Sequence, residues 1–156
     1  MDSKKVLVRE SRLGKSVFSI ENIDKGELIA AFDGDIFECE RATDLPPRVA
    51  NHAIQFEEHK WRDSNGLARS INHSCNPNCG IKNLFSIVAM KDIKKEEELT
   101  WDYDMSEDSD WTLDCQCLNP SCRKKIGAFK NLPRDVRSTY RGYISDWLVD
   151  KYKLSN

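Results

Sequence analysis

Apolar residues recur along the chain in short runs separated by polar turns, and no run approaches the roughly 20 residues of a membrane helix. Val6-Leu7-Val8 is a short strand pattern, Ser11-Arg12-Leu13-Gly14-Lys15-Ser16 a glycine-centred turn, and Val17-Phe18-Ser19-Ile20 resumes extended structure. The turn Ile23-Asp24-Lys25-Gly26-Glu27-Leu28 leads into Ile29-Ala30-Ala31-Phe32. A related turn recurs at Ile93–Leu99 with one extra residue, ahead of Thr100-Trp101-Asp102-Tyr103. His52-Ala53-Ile54-Gln55-Phe56 alternates as a half-buried strand does, and Leu84–Met90 is the clearest strand, mostly apolar and expected at the centre of a sheet. Residues 40–50, with Leu45-Pro46-Pro47, break regular structure, and residues 104–114 read as an acidic, irregular, exposed link. Near the C-terminus the period changes. Pro133 opens a pattern that places Val136, Tyr140, Ile144, Trp147 and Leu148 on one face of an expected helix. The pattern therefore predicts a mainly β fold of several short sheets, plus a C-terminal α-helix.

Composition narrows this picture only slightly. A length of 156 residues suits one domain with a real core, and a charged fraction of 32% describes an extensively charged surface. A net charge of −2 gives no basic excess, so direct nucleic-acid binding is not expected. The segment after Met1-Asp2-Ser3-Lys4-Lys5 lacks the apolar core of a secretory signal, and an intracellular, reducing location is the default expectation. In that setting six cysteines read better as metal ligands than as disulfides.

Candidate chemistry concentrates in two places. Cys115 and Cys117 form a Cys-x-Cys pair, too tight to close easily as a disulfide, and Cys122 follows. Three thiols nearly surround a zinc ion, and tetrahedral coordination needs one more ligand. By chemistry alone Cys39, Cys75, Cys79 and the three histidines are all candidates. The second place is the polar stretch Ala68-Arg69-Ser70-Ile71-Asn72-His73-Ser74-Cys75-Asn76-Pro77-Asn78-Cys79. By itself it would pass for a surface turn between strands.

That stretch is followed, in order, by Glu98-Leu99-Thr100-Trp101-Asp102-Tyr103 and by Cys115-Gln116-Cys117 with Cys122. Together these pieces resemble the SET-domain protein-lysine methyltransferases with a cysteine-rich post-SET tail, over most of the chain from about Val6 to Phe129. The resemblance implies a SET fold of several short curved sheets with a pseudoknot near the active site. It implies a SET domain over residues 1–104, a post-SET zinc-binding tail over 105–130 and a C-terminal helical extension over 131–156 packed on the same globule. It also implies S-adenosyl-L-methionine as methyl donor and a lysine-containing protein or peptide as substrate, a histone tail or another lysine-rich protein. A nuclear or chromatin location follows in a eukaryote, otherwise the cytoplasm or a host cell. Among the candidate ligands it selects Cys75, with Cys79 the runner-up, for one structural Zn held by Cys75, Cys115, Cys117 and Cys122.

The site residues carry over one by one. Tyr103 matches the final tyrosine of the family's Glu-Leu-x-x-Asp-Tyr motif and is the expected catalytic residue. With a free pKa near 10 it is assigned orientation and electrostatic support, not obligatory proton abstraction. Asn72 and His73 match the cofactor-binding pair at the adenosyl portion, and Arg69 an arginine near the methionine carboxylate. Gly14, Lys15, Ser16 and Val17 are expected to form the other wall of that site. Three positions depart from the family. Ser16 replaces the second glycine of a Gly-x-Gly turn, His52 stands where a tyrosine often lines the lysine channel, and Trp101 stands where Phe or Tyr is common. The large ring of Trp101 is expected to limit the number of methyl groups added. Ser16 and His52 keep a second class of function open, a catalytically silent SET module that binds a peptide or partner. Monomer and homodimer both stay open, the latter through the apolar stripe of the C-terminal helix.

Overall fold

The computed structural model describes residues 1–155. Strands β1 (Val6–Ser11) and β2 (Gly14–Ser19) pair antiparallel from Val6↔Ser19 to Ser11↔Gly14, leaving Arg12-Leu13 as a two-residue turn. Gly14 sits at φ +90°, a conformation that costs a side-chain-bearing residue strain, which is why a glycine ends this turn. β3 (Leu28–Ala31) follows, then β4 (Ile36–Glu38), the one-turn helix α1 (Pro47–Ala50), β5 (Ile54–Glu57) and β6 (Lys60–Arg62). The polar stretch supplies β7 (Asn72–His73) and the start of β8 (Cys79–Lys82). β9 (Ser86–Ala89), β10 (Glu98–Trp101), β11 (Leu113–Asp114) and β12 (Lys125–Ile126) complete the strands.

Three sheets result: a large one ordered β1-β2-β10-β8-β9-β3 with β7 also on β10, a small one ordered β4-β6-β5, and the ribbon β11-β12. β9 pairs with both β8 and β3, so its Ile87 and Val88 are buried, as the apolar run predicted. The two related turns meet each other, through the bridge Ile23↔Ile93, with both side chains in the core. β10 is the strand that matters for function. It pairs antiparallel with β2 and parallel with β7, in the register Thr100↔Asn72 and Trp101↔His73. Two stretches some thirty residues apart in sequence thereby lie side by side.

Residues 40–50 are more ordered than their composition suggested. A 3-10 turn at Ala42–Asp44 and α1 bury Ala42, Leu45 and Val49 against Trp61 in a small core of their own. Pro47 opens α1, where its missing N–H has no intrahelical partner to lose.

The C-terminal pattern is corrected in one respect. In place of one helix there are two, α2 (Arg134–Thr139) and α3 (Asp146–Tyr152). The break has a local cause and a tertiary one. Gly142 adopts φ +83°, and the intervening backbone also bonds to the body of the protein: Ile81 N–H donates to Tyr143 O at 3.1 Å and Ser145 N–H to Met105 O at 2.9 Å. Periodicity still found the buried residues. Tyr140, Ile144, Trp147 and Leu148 enter the same main core as Val17, Phe32, Leu99 and Trp101. The stripe therefore faces its own chain and is not free to pair with a second copy.

Candidate functional site

The parallel pairing of β7 with β10 places Tyr103 beside His73, and a chain of short contacts fixes it there. The Tyr103 backbone N–H donates to His73 Nδ1 at 3.2 Å, so Nδ1 is an acceptor and the proton sits on Nε2, which faces Cys75 Sγ at 3.3 Å. Burial pulls His73 down to about 4, with the charge of Arg123 acting in the same direction and that of Asp102 opposing, so the ring is neutral at physiological pH. The Tyr103 hydroxyl donates to Ile71 O at 3.3 Å, and burial pushes its pKa far above 10. A phenol held in that state orients and donates; it does not abstract protons at neutral pH.

Two cavities meet at Tyr103. One is an open cleft of about 310 Å³ whose lining includes Leu13, Asn72, His73, Asp114 and Gln116. The other is a much narrower cavity of about 20 Å³ whose walls include Phe32, Ile71, Trp101, Trp111 and Glu107. Asn51, His52 and Tyr103 line both. The second cavity is aromatic: Trp101 and Tyr103 have ring centroids 5.0 Å apart, Tyr103 and Trp111 6.1 Å, and Phe32 stands edge-on to Trp101 at 6.0 Å. Trp101 Nε1 is buried and finds no acceptor among the described residues.

Of the residues singled out in the sequence, Asn72, His73, His52, Trp101 and Tyr103 lie around these two cavities. Arg69 lines the narrow cavity rather than the cleft, its guanidinium donating to Arg48 O at 3.0 Å, while His52 Nδ1 lies 3.2 Å from Arg69 O. Ser16 and Val17 are fully buried, and Gly14 and Lys15 turn at the hairpin end. The Ser16 hydroxyl points inward, 2.6 Å from Ser11 Oγ, and accepts from Asn72 Nδ2 at 2.7 Å. Lys15 O accepts from the same amide at 3.0 Å. The serine in place of glycine thus braces Asn72 and does not intrude on the cleft.

Cys75, Cys115, Cys117 and Cys122 converge so that their sulfurs all lie within 4.8 Å of one another, with Cys75 and Cys115 3.8 Å apart. Zn–S bonds of about 2.3 Å in a tetrahedron set sulfurs about 3.8 Å apart, so the donor set and its spacing fit one zinc with no open position. Burial pushes the Cys75 thiol up to about 11, while hydrogen bonds from its neighbours pull Cys117 down to about 7. The runner-up Cys79 is buried in the core against Asn78 Oδ1, and Cys39 packs near the small core around Trp61.

The tail is tied to Tyr103 by residues not singled out in the sequence. Arg123, next to Cys122, holds Asp102 through two bonds of 2.7 and 2.8 Å and Asp104 at 3.0 Å. Tyr140 adds its hydroxyl to Asp102 at 2.7 Å. Burial, with the neighbouring charge of Asp102, still raises Asp104 to about 6. Arg12 in the β1–β2 turn reaches across to Gln116 O at 2.6 Å, bridging hairpin and tail at the cleft. Trp111 comes from the acidic link, and its Nε1 donates to Asn51 Oδ1 at 3.0 Å. A lone tryptophan in an acidic segment and an arginine directly after a ligand cysteine were the only sequence signals for these roles.

Comparison with known proteins gives a consistent result. Residues 14–104 match the model of the SET domain. The chain is 32% identical over 123 residues to a "Histone-lysine N-methyltransferase, H3 lysine-4 specific" of Schizosaccharomyces pombe, covering 69% of this chain and 13% of that protein. It is 28% identical over 151 residues to "Histone-lysine N-methyltransferase ASHH3" of Arabidopsis thaliana, covering 84% of this chain and 40% of that protein. Among solved structures, KRYPTONITE in complex with mCHH DNA, H3(1-15) peptide and SAH superposes with a TM-score of 0.59 at 25% identity, over 77% of this chain and 29% of that one. The chain thus spans well under half of each of these proteins.

Proposed function

This chain belongs to the SET-domain family, and from that premise we propose that it is a protein-lysine N-methyltransferase that uses S-adenosyl-L-methionine on a histone tail or another lysine-rich protein. The observation that carries the reading is the meeting of two differently built cavities at one tyrosine. In-line displacement needs donor and acceptor to approach from opposite sides, and positioning supplies most of the catalysis. The open cleft beside Asn72 and His73 is large and polar enough for the nucleoside donor, which when bound supplies an electrophilic methyl on a sulfonium. The narrow aromatic cavity suits the long apolar stem and terminal amine of lysine. Tyr103, on the boundary, presents a donor hydroxyl where the two would touch.

The amine must be neutral to attack. From a free pKa of about 10.4, deprotonation at pH 7 costs roughly 4.6 kcal/mol at about 1.36 kcal/mol per unit. An apolar channel lowers that cost by disfavouring the charged amine. Phe32, Trp101 and Trp111 supply such walls here. His73 is neutral and acts as a strut, linking the zinc ligand Cys75 to the backbone of Tyr103. The zinc has a structural role, holding the tail that carries Trp111 and Gln116 to the site. The SAH and H3 peptide in the KRYPTONITE complex and the histone-lysine names of the relatives support donor and substrate class, and a histone substrate implies a chromatin setting.

The test is transfer of a labelled methyl group from S-adenosylmethionine to core histones and to a lysine-rich protein extract, with Tyr103→Phe alongside. Transfer by the native chain, lost by at least a hundredfold in the variant with donor binding retained, is the expected result. No transfer to either pool by folded, zinc-loaded protein would leave a silent peptide-binding module instead.

A further inference from the structure

The narrow cavity has room for about one water molecule, so a lysine stem enters it only when a wall moves. Three of its wall residues, Ser106, Glu107 and Trp111, lie in the link that leads away from Tyr103. That link divides in the middle. Met105, Ser106, Glu107 and Asp108 are all buried, whereas residues 109–112 are half-buried or exposed. Each of the four buried residues is tied from outside the link. Ser145 N–H, at the start of α3, donates to Met105 O at 2.9 Å, and Trp147 Nε1 donates to Ser106 O at 2.9 Å. Phe129 N–H donates to Glu107 O at 2.6 Å, and Asp108 N–H to Gln55 Oε1 of β5 at 2.7 Å. The Asp108 side chain, 1% exposed, accepts from Lys151 Nζ at 2.8 Å, the Tyr152 hydroxyl at 2.7 Å and Lys130 N–H at 3.0 Å. Lys151 also reaches Glu58, just past β5. Beyond Asp108 the bonds to α3 stop. Asp110 accepts from Ala42 N–H and Trp111 donates to Asn51, both in the segment around α1.

The apolar face of α3, with Trp147 and Leu148, joins the main core, which is all that a stabilising helix requires. Its polar groups do something more specific: they converge on the four residues that run from Tyr103 to the cavity wall. Charge-assisted bonds to a carboxylate are roughly twice as strong as neutral ones and are directional, so they fix the backbone where apolar contact would let it slide.

We propose that α3 positions the lysine channel, its Trp147, Lys151 and Tyr152 holding Ser106 and Asp108 in place so that the channel opens at its Trp111 wall while the Tyr103 side stays fixed. This rests on the lysine-channel reading above, and it makes the helical extension, which lies outside the matched residues 14–104, a working part of the site. The three are positioning residues, since none of them lines either cavity.

The experiment compares the full zinc-loaded chain with Tyr152→Phe, Lys151→Met and Lys151→Arg, and with Asp150→Asn as a control at an exposed position of the same helix. Amide hydrogen exchange is followed without donor or substrate, and steady-state transfer is measured on the histone or extract protein that the native chain methylates. In Tyr152→Phe and Lys151→Met the Asp108 and Phe129 amides should exchange at least tenfold faster, while Ile87 and Val88 of β9 keep their native rates. The kcat should fall about threefold in Tyr152→Phe, which keeps the cation, and about tenfold in Lys151→Met, with donor Kd and substrate KM within twofold of native. Lys151→Arg should restore both exchange and kcat, and Asp150→Asn should match the native chain. A lower Tm with unchanged kcat, native exchange at Asp108, or equal loosening of the link and of β9 overturns the proposal. Failure of the methyltransferase reading looks different: exchange responds as described but no chain, the native one included, transfers a methyl group, and the proposal falls with the channel it serves.

Discussion

Replacing Arg123 with glutamine tests whether the zinc tail and the tyrosine-bearing segment are one mechanical unit. Arg123 makes three charge-assisted bonds, at 2.7, 2.8 and 3.0 Å, to two carboxylates that are almost wholly buried. Removing the cation leaves Asp102 and Asp104 facing each other, and breaking such a buried pair costs about 3–5 kcal/mol. For a chain of this size, with a urea slope of about 2 kcal/mol/M, the unfolding midpoint should fall by about 2 M at pH 7.5. The pH dependence gives the sharper check. Asp104 stands at about 6 even with Arg123 present, above the unfolded value of about 3.9. An acid raised in this way binds more protons folded than unfolded, so its contribution to stability falls as pH rises from about 4 through 6. That fall is roughly 3 kcal/mol in the native protein. Without Arg123 the folded value of Asp104 rises further, so the variant's deficit should be full at pH 7.5 and shrink to below about 2 kcal/mol at pH 4.5. An equal deficit at both pH values, or less than about 1 kcal/mol at pH 7.5, would show that Arg123 is an exposed ornament of the tail.

Purified protein should carry one equivalent of zinc by elemental analysis. Cys122→Ser should lose it while Cys39→Ser keeps it, and chelation should alter the fluorescence of Trp111 without unfolding the main sheet. Ser16→Gly removes the hydroxyl that accepts from Asn72; it should cost about 1–2 kcal/mol in thermal unfolding and weaken binding of S-adenosylmethionine several-fold by calorimetry. Trp101→Phe deletes a buried indole N–H that lacks an acceptor and widens the narrow cavity, so products should shift toward higher methylation by mass spectrometry. An unchanged mono-, di- and trimethyl distribution would refute the role of this ring in product multiplicity.

Much of the site was legible in sequence because its chemistry is local. The order of Asn72-His73, Glu98–Tyr103 and the three tail cysteines carries the family resemblance, and the mostly apolar run Leu84–Met90 marked the strand whose Ile87 and Val88 are buried. The roles of Arg123, Trp111 and Tyr140 were not legible, because each depends on a partner far away in the chain: Asp102, Asn51 and Asp102 again. The Ser16 departure looked disruptive only while its orientation was unknown. The single C-terminal helix failed for a related reason. Its period encodes which residues are buried, but the bonds from Ile81 and to Met105 that break it belong to other elements.

What the sequence determined by itself is the alternation of short strands and turns and the three tail thiols for a metal, while the resemblance to a family supplied Cys75 as fourth ligand and the role of Tyr103. Hydrophobic period and ligand chemistry are properties of neighbouring residues, and neighbours in sequence suffice to read them. Only the tertiary structure decided that β10 runs beside β7, that Tyr103 divides an open cleft from an aromatic cavity, and that Arg123 of the tail meets Asp102 and Asp104. Those are facts of long-range pairing and desolvation, which arise only once distant segments are brought together and water is excluded between them.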